Sequence, residues 1–88
     1  MEIHPTWHPF SGSAHAARRD LPDSAFAFPQ ERAEPLTNAA HVRSAIARFD
    51  QVGGVTDDER DVAFANIQAA ADYYGVTLKE KGWREIGR

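Results

Sequence analysis

Three cationic side chains on one segment have the residue types and spacing needed to bind an anion. His41, Arg43 and Arg48 are the basic residues of the stretch from Pro35 to Phe49. Guanidinium groups beside an imidazole can hold a phosphate or a carboxylate through charge-assisted hydrogen bonds. We therefore take these three residues as a candidate partner-binding or anion-binding site. In the alternative, structural reading, His41 bonds to the segment before its helix and the arginines pair with nearby carboxylates, namely Glu31, Glu34 or Asp50.

The aromatic residues Trp7 and Phe10 are the other binding candidates. They lie in residues 1–17, which we expect to form a flexible N-terminal arm because this segment has neither a helical nor a strand period. Large aromatic side chains on a mobile arm can anchor in a pocket of a partner protein. In the alternative, both rings fold back on the surface of the domain itself. A flexible arm would contribute little to folding.

The sequence offers no set of residues for catalysis, for a cofactor or for a metal. His4, His8 and His15 are potential ligands, but Pro5 and Pro9 keep the first two off a regular helix face. No nucleophile–base pair, pair of catalytic carboxylates or glycine-rich phosphate loop can be recognised. The chain has no cysteine, which excludes disulfides and thiolate zinc sites. We therefore predict a protein that is not an enzyme and has no cofactor.

Length and charge set the outer bounds of the prediction. The chain has 88 residues, 42% of them hydrophobic, and a net charge of −3, which allows one small domain that we place at residues 18–88. The acidic balance argues against a general nucleic-acid binder. No apolar run has the length of a membrane span and no signal sequence is visible, so we expect a cytoplasmic chain without membrane contact. So small a core contributes only about 3–5 kcal/mol, which favours a protein partner or self-association.

The elements that position the candidate residues follow from apolar spacing. Ala39, Val42, Ile46 and Phe49 recur every three or four residues and predict a helix at about 38–51. A second helix is predicted at about 57–74. Its start has a capping box at Thr56 to Glu59, and Gly75 is expected to end it in the left-handed conformation.

The remaining segments predict less regular structure. Phe26 and Phe28 alternate with alanine and are bounded by proline, which predicts either an extended aromatic strap laid over the helices or a lone edge strand. A second possible capping box at Thr77 to Glu80 predicts a short C-terminal helix at about 78–86. The predicted fold class is therefore mainly α, a small helical hairpin with a strap and a short final helix. We expect its core to combine residues of all these elements: Ile46, Phe49, Phe64, Ile67 and Trp83, capped by Phe26 or Phe28.

Several blocks of the sequence together resemble a known but uncharacterised family. They are LPDSAFAFP from Leu21, Pro35-Leu36, AHVRSAIARF from Ala40, and an alanine-rich run that ends in Tyr74-Gly75-Val76. This family consists of small bacterial and phage domains, some of which are appended to phage head-maturation or other phage-associated proteins. The resemblance covers about residues 21–86. It implies a compact helical unit and a phage or prophage connection, and it implies no activity.

The leading functional hypothesis is a non-catalytic protein-interaction or structural module, related to phages through this resemblance. The alternative is a nucleic-acid-binding accessory domain that uses the basic flank of the central helix together with the basic C-terminal segment. The distribution of surface charge distinguishes the two, since a contiguous basic face favours nucleic acid. Cations scattered among acids favour a protein partner.

Overall fold

A computed structural model describes residues 3–12 and 16–86, and these form a small α+β fold. Two short strands, β1 (Phe26–Phe28) and β2 (Ala33–Pro35), precede two helices, α1 (Ala39–Arg48) and α2 (Asp57–Tyr74). The strands pair antiparallel, with Phe26 opposite Pro35 and Phe28 opposite Ala33. Single 3₁₀ turns complete the order at Arg18–Asp20, Asp23–Ala25, Phe49–Gln51 and Trp83–Glu85.

The predicted mainly α fold class is wrong, because the aromatic strap is one strand of a β-hairpin. The prediction correctly made the Phe26–Phe28 segment extended, but it gave this segment no partner strand. The partner strand, Ala33–Pro35, is not predicted from the sequence because it contains a proline and no β-branched residue. Its backbone is also irregular, since Arg32 and Glu34 have φ values of 51° and 58°. Left-handed backbone geometry at residues other than glycine cannot be predicted from the order of polar and apolar residues.

Both predicted helices are present close to their predicted bounds. Asn38 caps α1 by accepting a hydrogen bond from the His41 backbone N–H at 2.8 Å. The predicted capping box of α2 is confirmed: the Thr56 hydroxyl accepts from the Glu59 N–H and the Glu59 side chain accepts from the Thr56 N–H. Gly75 ends α2 with a φ of 70°, which suits a residue without a Cβ.

The predicted C-terminal helix at about 78–86 is wrong. That segment runs without regular structure to a single 3₁₀ turn at Trp83–Glu85. Gly82 has an extended backbone, with φ −156° and ψ 161°. A nine-residue helix is marginal in water, and an interior glycine costs it about 1 kcal/mol more. Trp83 nevertheless packs against the core, and its indole N–H donates to Asp61 at 2.8 Å.

The predicted core residues meet around the Phe49 ring. Phe49 lies 5.4 Å from the Phe28 ring and 6.3 Å from the rings of Phe64 and Trp83, centroid to centroid. Ile67 is buried in the same cluster, and Ile46 packs at its edge. Of the two proposed capping residues, Phe28 lies inside this main core.

Phe26 belongs to a second small cluster with Leu21 and Ala25, against which Phe10 packs. The Arg32 guanidinium closes this cluster from the outside. It lies 4.7 Å from the Phe26 ring centroid, and it donates to the Leu21 carbonyl at 2.7 Å and to the Asp23 carboxylate at 2.5 Å. These contacts hold Arg32 in its left-handed conformation, where the backbone alone would favour another geometry.

The N-terminal residues around Trp7 are part of the packed structure. Trp7 is 7% exposed, lies in the main core, and donates its indole N–H to the Leu36 carbonyl at 3.1 Å. Asn66, on α2, is fully buried and its Oδ1 accepts from the backbone N–H groups of Thr6 and Trp7 at 2.7 and 2.9 Å. A flexible segment at Trp7 is therefore not what the structure shows, and the alternative of rings that fold back fits it. The boundary at residue 17 stays a prediction.

We predict that Phe49→Ala lowers the free energy of unfolding by about 3–5 kcal/mol, because it removes the ring that contacts three other aromatic rings. So large a loss would unfold most of the population of a domain of this size. Chemical denaturation followed by circular dichroism measures it. Arg48→Ala, exposed one residue earlier, is the control and should change stability by no more than about 0.5 kcal/mol. Equal midpoints for the two variants would contradict the core assignment.

We also predict that Asn66→Ala costs about 2–4 kcal/mol, since several hydrogen bonds are lost and buried backbone groups are left unpaired. Gln68→Ala on the exposed side of the same helix is the control and should be close to neutral. In a Trp83→Phe background, the remaining indole reports on Trp7 alone. Its fluorescence should shift to the red in Asn66→Ala as the N-terminal segment detaches. A stable Asn66→Ala variant with unshifted emission would show that this contact does not hold the segment.

Candidate functional site

The three predicted cationic site residues lie exposed on α1, but they do not form one cluster. Helical spacing places His41 and Arg48 along one flank of α1 and Arg43 along the other. The surface between them carries small side chains, Ala40 and Ala47, which are also exposed. A partner could therefore approach the helix backbone closely and meet a cation on either side.

The structural alternative for these arginines is not what the structure shows. Among residues 3–12 and 16–86, neither Arg43 nor Arg48 forms an ion pair with Glu31, Glu34 or Asp50. Three other arginines are engaged within the fold. Arg32 pairs with Asp23, Arg60 pairs with Asp57 at 2.9 Å, and Arg84 lies 3.7 Å from Asp57 and 4.2 Å from the Trp83 ring centroid.

A cleft of about 300 Å³ brings His41 together with Phe10, so two of the five predicted site residues share one concave surface. Arg18, which sequence reasoning did not select, lines the same cleft. Thr37 and Asn38 contribute the start of α1. Residues 13–15 lie outside the described part of the chain, and His15, the third potential metal ligand, is one of them.

A second groove of about 300 Å³ lies where the N-terminal segment, the β-hairpin turn and the start of α2 meet. Its floor is apolar and its rim carries three carboxylates, so we call it the acidic groove. It is lined by Thr6, Phe28, Pro29, Gln30, Glu31, Asp58, Glu59 and Val62. No cation is among these lining residues. Sequence reasoning explained the acids of α2 by helix capping and did not foresee the groove, because Glu31 reaches Glu59 only once the hairpin is folded.

Two carboxylates of the acidic groove influence each other's ionisation. Glu59 Oε1 accepts from the Thr56 N–H at 3.0 Å, whereas Glu59 Oε2 is shielded from water and accepts no hydrogen bond from the described residues. Hydrogen bonding to Glu59 raises the pKa of Glu31, since a protonated Glu31 can donate to its neighbour. Hydrogen bonding to Glu31 and to the Thr56 N–H lowers the pKa of Glu59. The Arg60 charge also lowers the pKa of Glu59, so Glu59 is the member of the pair that favours the ionised form.

Within the described ranges, no three histidine, cysteine or acidic side chains converge in a way that could hold a metal ion. The carboxylates of the acidic groove are thus not arranged as a metal cage. None of the described helices is long and apolar enough to cross a membrane. Among the described residues, the cationic flanks of α1 and the acidic groove both carry charged groups that a partner could contact.

Comparison with known proteins places the chain in a family. It belongs to the Family of unknown function (DUF6582), whose model matches residues 13–81 and so includes the β-hairpin and both helices. This confirms the resemblance to an uncharacterised family. No curated protein and no solved structure matches the chain.

We predict that Glu59→Gln returns the pKa of Glu31 toward its ordinary value of 4.5, because it removes the charged acceptor of the Glu31 hydrogen bond, while glutamine still completes the capping box. The raised pKa means that the folded chain holds the Glu31 proton more tightly than the unfolded chain does. The Glu31 contribution to stability is then present below pH 4.5 and is lost as the pH rises through the raised value. Carboxyl ¹³C NMR titration measures the pKa, and denaturation across the same pH range measures its linkage to stability.

The matched control is Asp72→Asn, which removes a charge from the exposed far end of α2 and should leave the Glu31 titration unchanged. If Glu31 titrates at its ordinary pKa already in the unsubstituted chain, the two carboxylates do not interact as described.

Proposed function

We propose that this chain is a non-catalytic protein-interaction module that binds an acidic surface of a partner protein through α1. The proposal rests on the exposure of Arg43 and Arg48 and on their lack of an acidic partner. Both are exposed and lack a carboxylate partner among the described residues, whereas Arg32, Arg60 and Arg84 are each held by an acid.

Arginine is a residue type that protein interfaces favour. Its guanidinium group is planar, binds carboxylates with two parallel hydrogen bonds and is less strongly hydrated than an ammonium group. Arginine is accordingly enriched among the residues that dominate binding energy. The small side chains between the flanks of α1 let a partner lie against the helix. His41 would add a third donor at the start of α1.

The distribution of charge supports a protein partner over nucleic acid. Among the C-terminal cations, Arg84 lies against the Asp57 carboxylate and so is not free to extend a basic surface from α1. The acids at the start of α2 would also repel a phosphate backbone. We therefore expect nucleic acids to bind no better than non-specifically, at roughly 10⁻⁴ M or weaker at physiological salt.

The phage or prophage relationship of the partner is part of the proposal and is supported by the sequence resemblance alone. A cytoplasmic setting is likewise proposed from the sequence. Neither is needed for the binding experiment, which uses the purified chain.

The experiment is a selection of random peptides displayed on yeast for binding to the chain, followed by titration of the enriched peptides. We expect acidic peptides whose affinity falls at least about tenfold in the Arg43→Ala/Arg48→Ala double variant, as expected when two charge-assisted contacts are lost. The matched control is Arg19→Ala/Lys79→Ala, which removes the same charge from exposed positions elsewhere. Labelled single-stranded and double-stranded DNA and RNA probes are titrated in parallel.

Peptides that bind the double variant and the unsubstituted chain equally would overturn the role of α1. Nucleic-acid binding at micromolar concentration or tighter, weakening steeply with salt and lost in the double variant, would instead support the nucleic-acid alternative.

A further inference from the structure

We propose that the acidic groove is a second binding site, which receives an arginine side chain of a partner polypeptide. The proposal rests on the proposed protein-binding function, but it concerns a surface on other elements than α1. Each can therefore fail separately in experiments. The groove lies between three segments, Thr6, the turn at Pro29 to Glu31, and the first turns of α2.

The shape of the groove suits one long side chain. Its volume of about 300 Å³ is at the lower end of the range for ligand pockets, too small for an extended peptide. Phe28, Pro29 and Val62 supply apolar surface for the methylene stem of such a side chain. Long cationic side chains bury their stems in this way while the charged end stays near water.

The charge of the groove selects a cation. Glu31, Asp58 and Glu59 line it without any basic residue among the lining groups. Arg60 attracts Glu59 electrostatically, but its guanidinium group bonds to Asp57, which does not line the groove. Glu31 is exposed, so a donor from outside can reach the carboxylate pair through the Glu31 side chain.

A guanidinium group fits these acceptors better than a point charge. It presents several N–H donors in one plane and can bridge two neighbouring carboxylates, here Glu31 and Glu59. A metal ion would need ligands that converge on one point, and the described residues show no such convergence of three ligand groups. A bound guanidinium would also relieve the repulsion between the two carboxylates, so it would lower the raised pKa of Glu31.

The test uses n-butylguanidinium as the probe, because it reproduces the stem and head group of arginine. N-butylurea, which has nearly the same shape and no charge, is the matched control ligand. Binding is followed by ¹H–¹⁵N NMR on the full chain, at a pH where both carboxylates are ionised. We expect n-butylguanidinium to shift the amide signals of Gln30, Glu31, Glu59 and Val62 in a saturable way. N-butylurea should shift them little.

Two variants complete the test. Glu31→Gln/Glu59→Gln removes both charges, and glutamine at 59 preserves the cap of α2. It should weaken n-butylguanidinium binding about tenfold, the change expected when two solvent-accessible ion pairs are lost. Asp50→Asn/Asp72→Asn removes the same charge from exposed positions outside the groove and should leave binding unchanged. The Arg43→Ala/Arg48→Ala variant should also bind the probe normally, which separates this site from α1.

The following outcomes would overturn the proposal. Equal shifts with n-butylurea would show an apolar crevice without charge recognition. Shifts spread over all surface acids would show non-specific ion pairing. Calcium or magnesium ions that shift the same signals at lower concentration would show a metal site. Groove signals that move with protein concentration and stop moving in Arg43→Ala/Arg48→Ala would show that a second copy of this chain is the occupant.

Discussion

The structure depends on one buried side chain, the carboxamide of Asn66. Its oxygen accepts hydrogen bonds from the backbone N–H groups of Thr6 and Trp7. Its nitrogen donates to the Ala27 carbonyl at 2.8 Å and to the Thr6 hydroxyl at 3.0 Å. One group on α2 thereby holds the N-terminal segment and strand β1 at the same time. Only an amide fits here, because the two backbone donors need an acceptor while the carbonyl needs a donor. A buried polar group is costly unless it is fully paired, so the position of all three segments is specified together.

This internal contact also determines the shape of the surface. By fixing Thr6 beside α2, Asn66 places one wall of the acidic groove, and Val62, one helical turn before Asn66, lies in the floor of that groove. The same contact puts Trp7 over the core with its indole bonded to Leu36. An aromatic residue that sequence analysis offers as a partner anchor therefore stabilises the fold instead. The candidate binding surfaces consist mainly of charged residues, of which Glu59 also completes the cap of α2.

Local signals made part of the fold predictable from the sequence. The capping box at Thr56, the glycine at 75 and the apolar spacing of α1 and α2 are all short-range features, and they gave the helices and most of the Phe49 core. The features that sequence analysis missed are long-range. Asn66 bonds to residues 59 and 60 positions away, and Glu31 meets Glu59 only through the folded hairpin. His41, Arg43 and Arg48 could be identified as exposed cations from helical spacing, whereas the acidic groove had no counterpart in any single segment.

The two candidate surfaces differ in how their charges affect the stability of the folded chain. Arg43 and Arg48 are exposed on a regular helix, where an unpaired cation surrounded by water costs little. Glu31 and Glu59 are different, because the folded chain holds their carboxylates together, and the hydrogen bonding and repulsion between them disfavour the ionised form of Glu31. The unfolded chain separates these groups and is free of that repulsion. A cation that binds only the folded groove removes the repulsion and adds its own binding energy to the stability of the chain. Occupation of the acidic groove and the stability of this small domain are therefore thermodynamically linked.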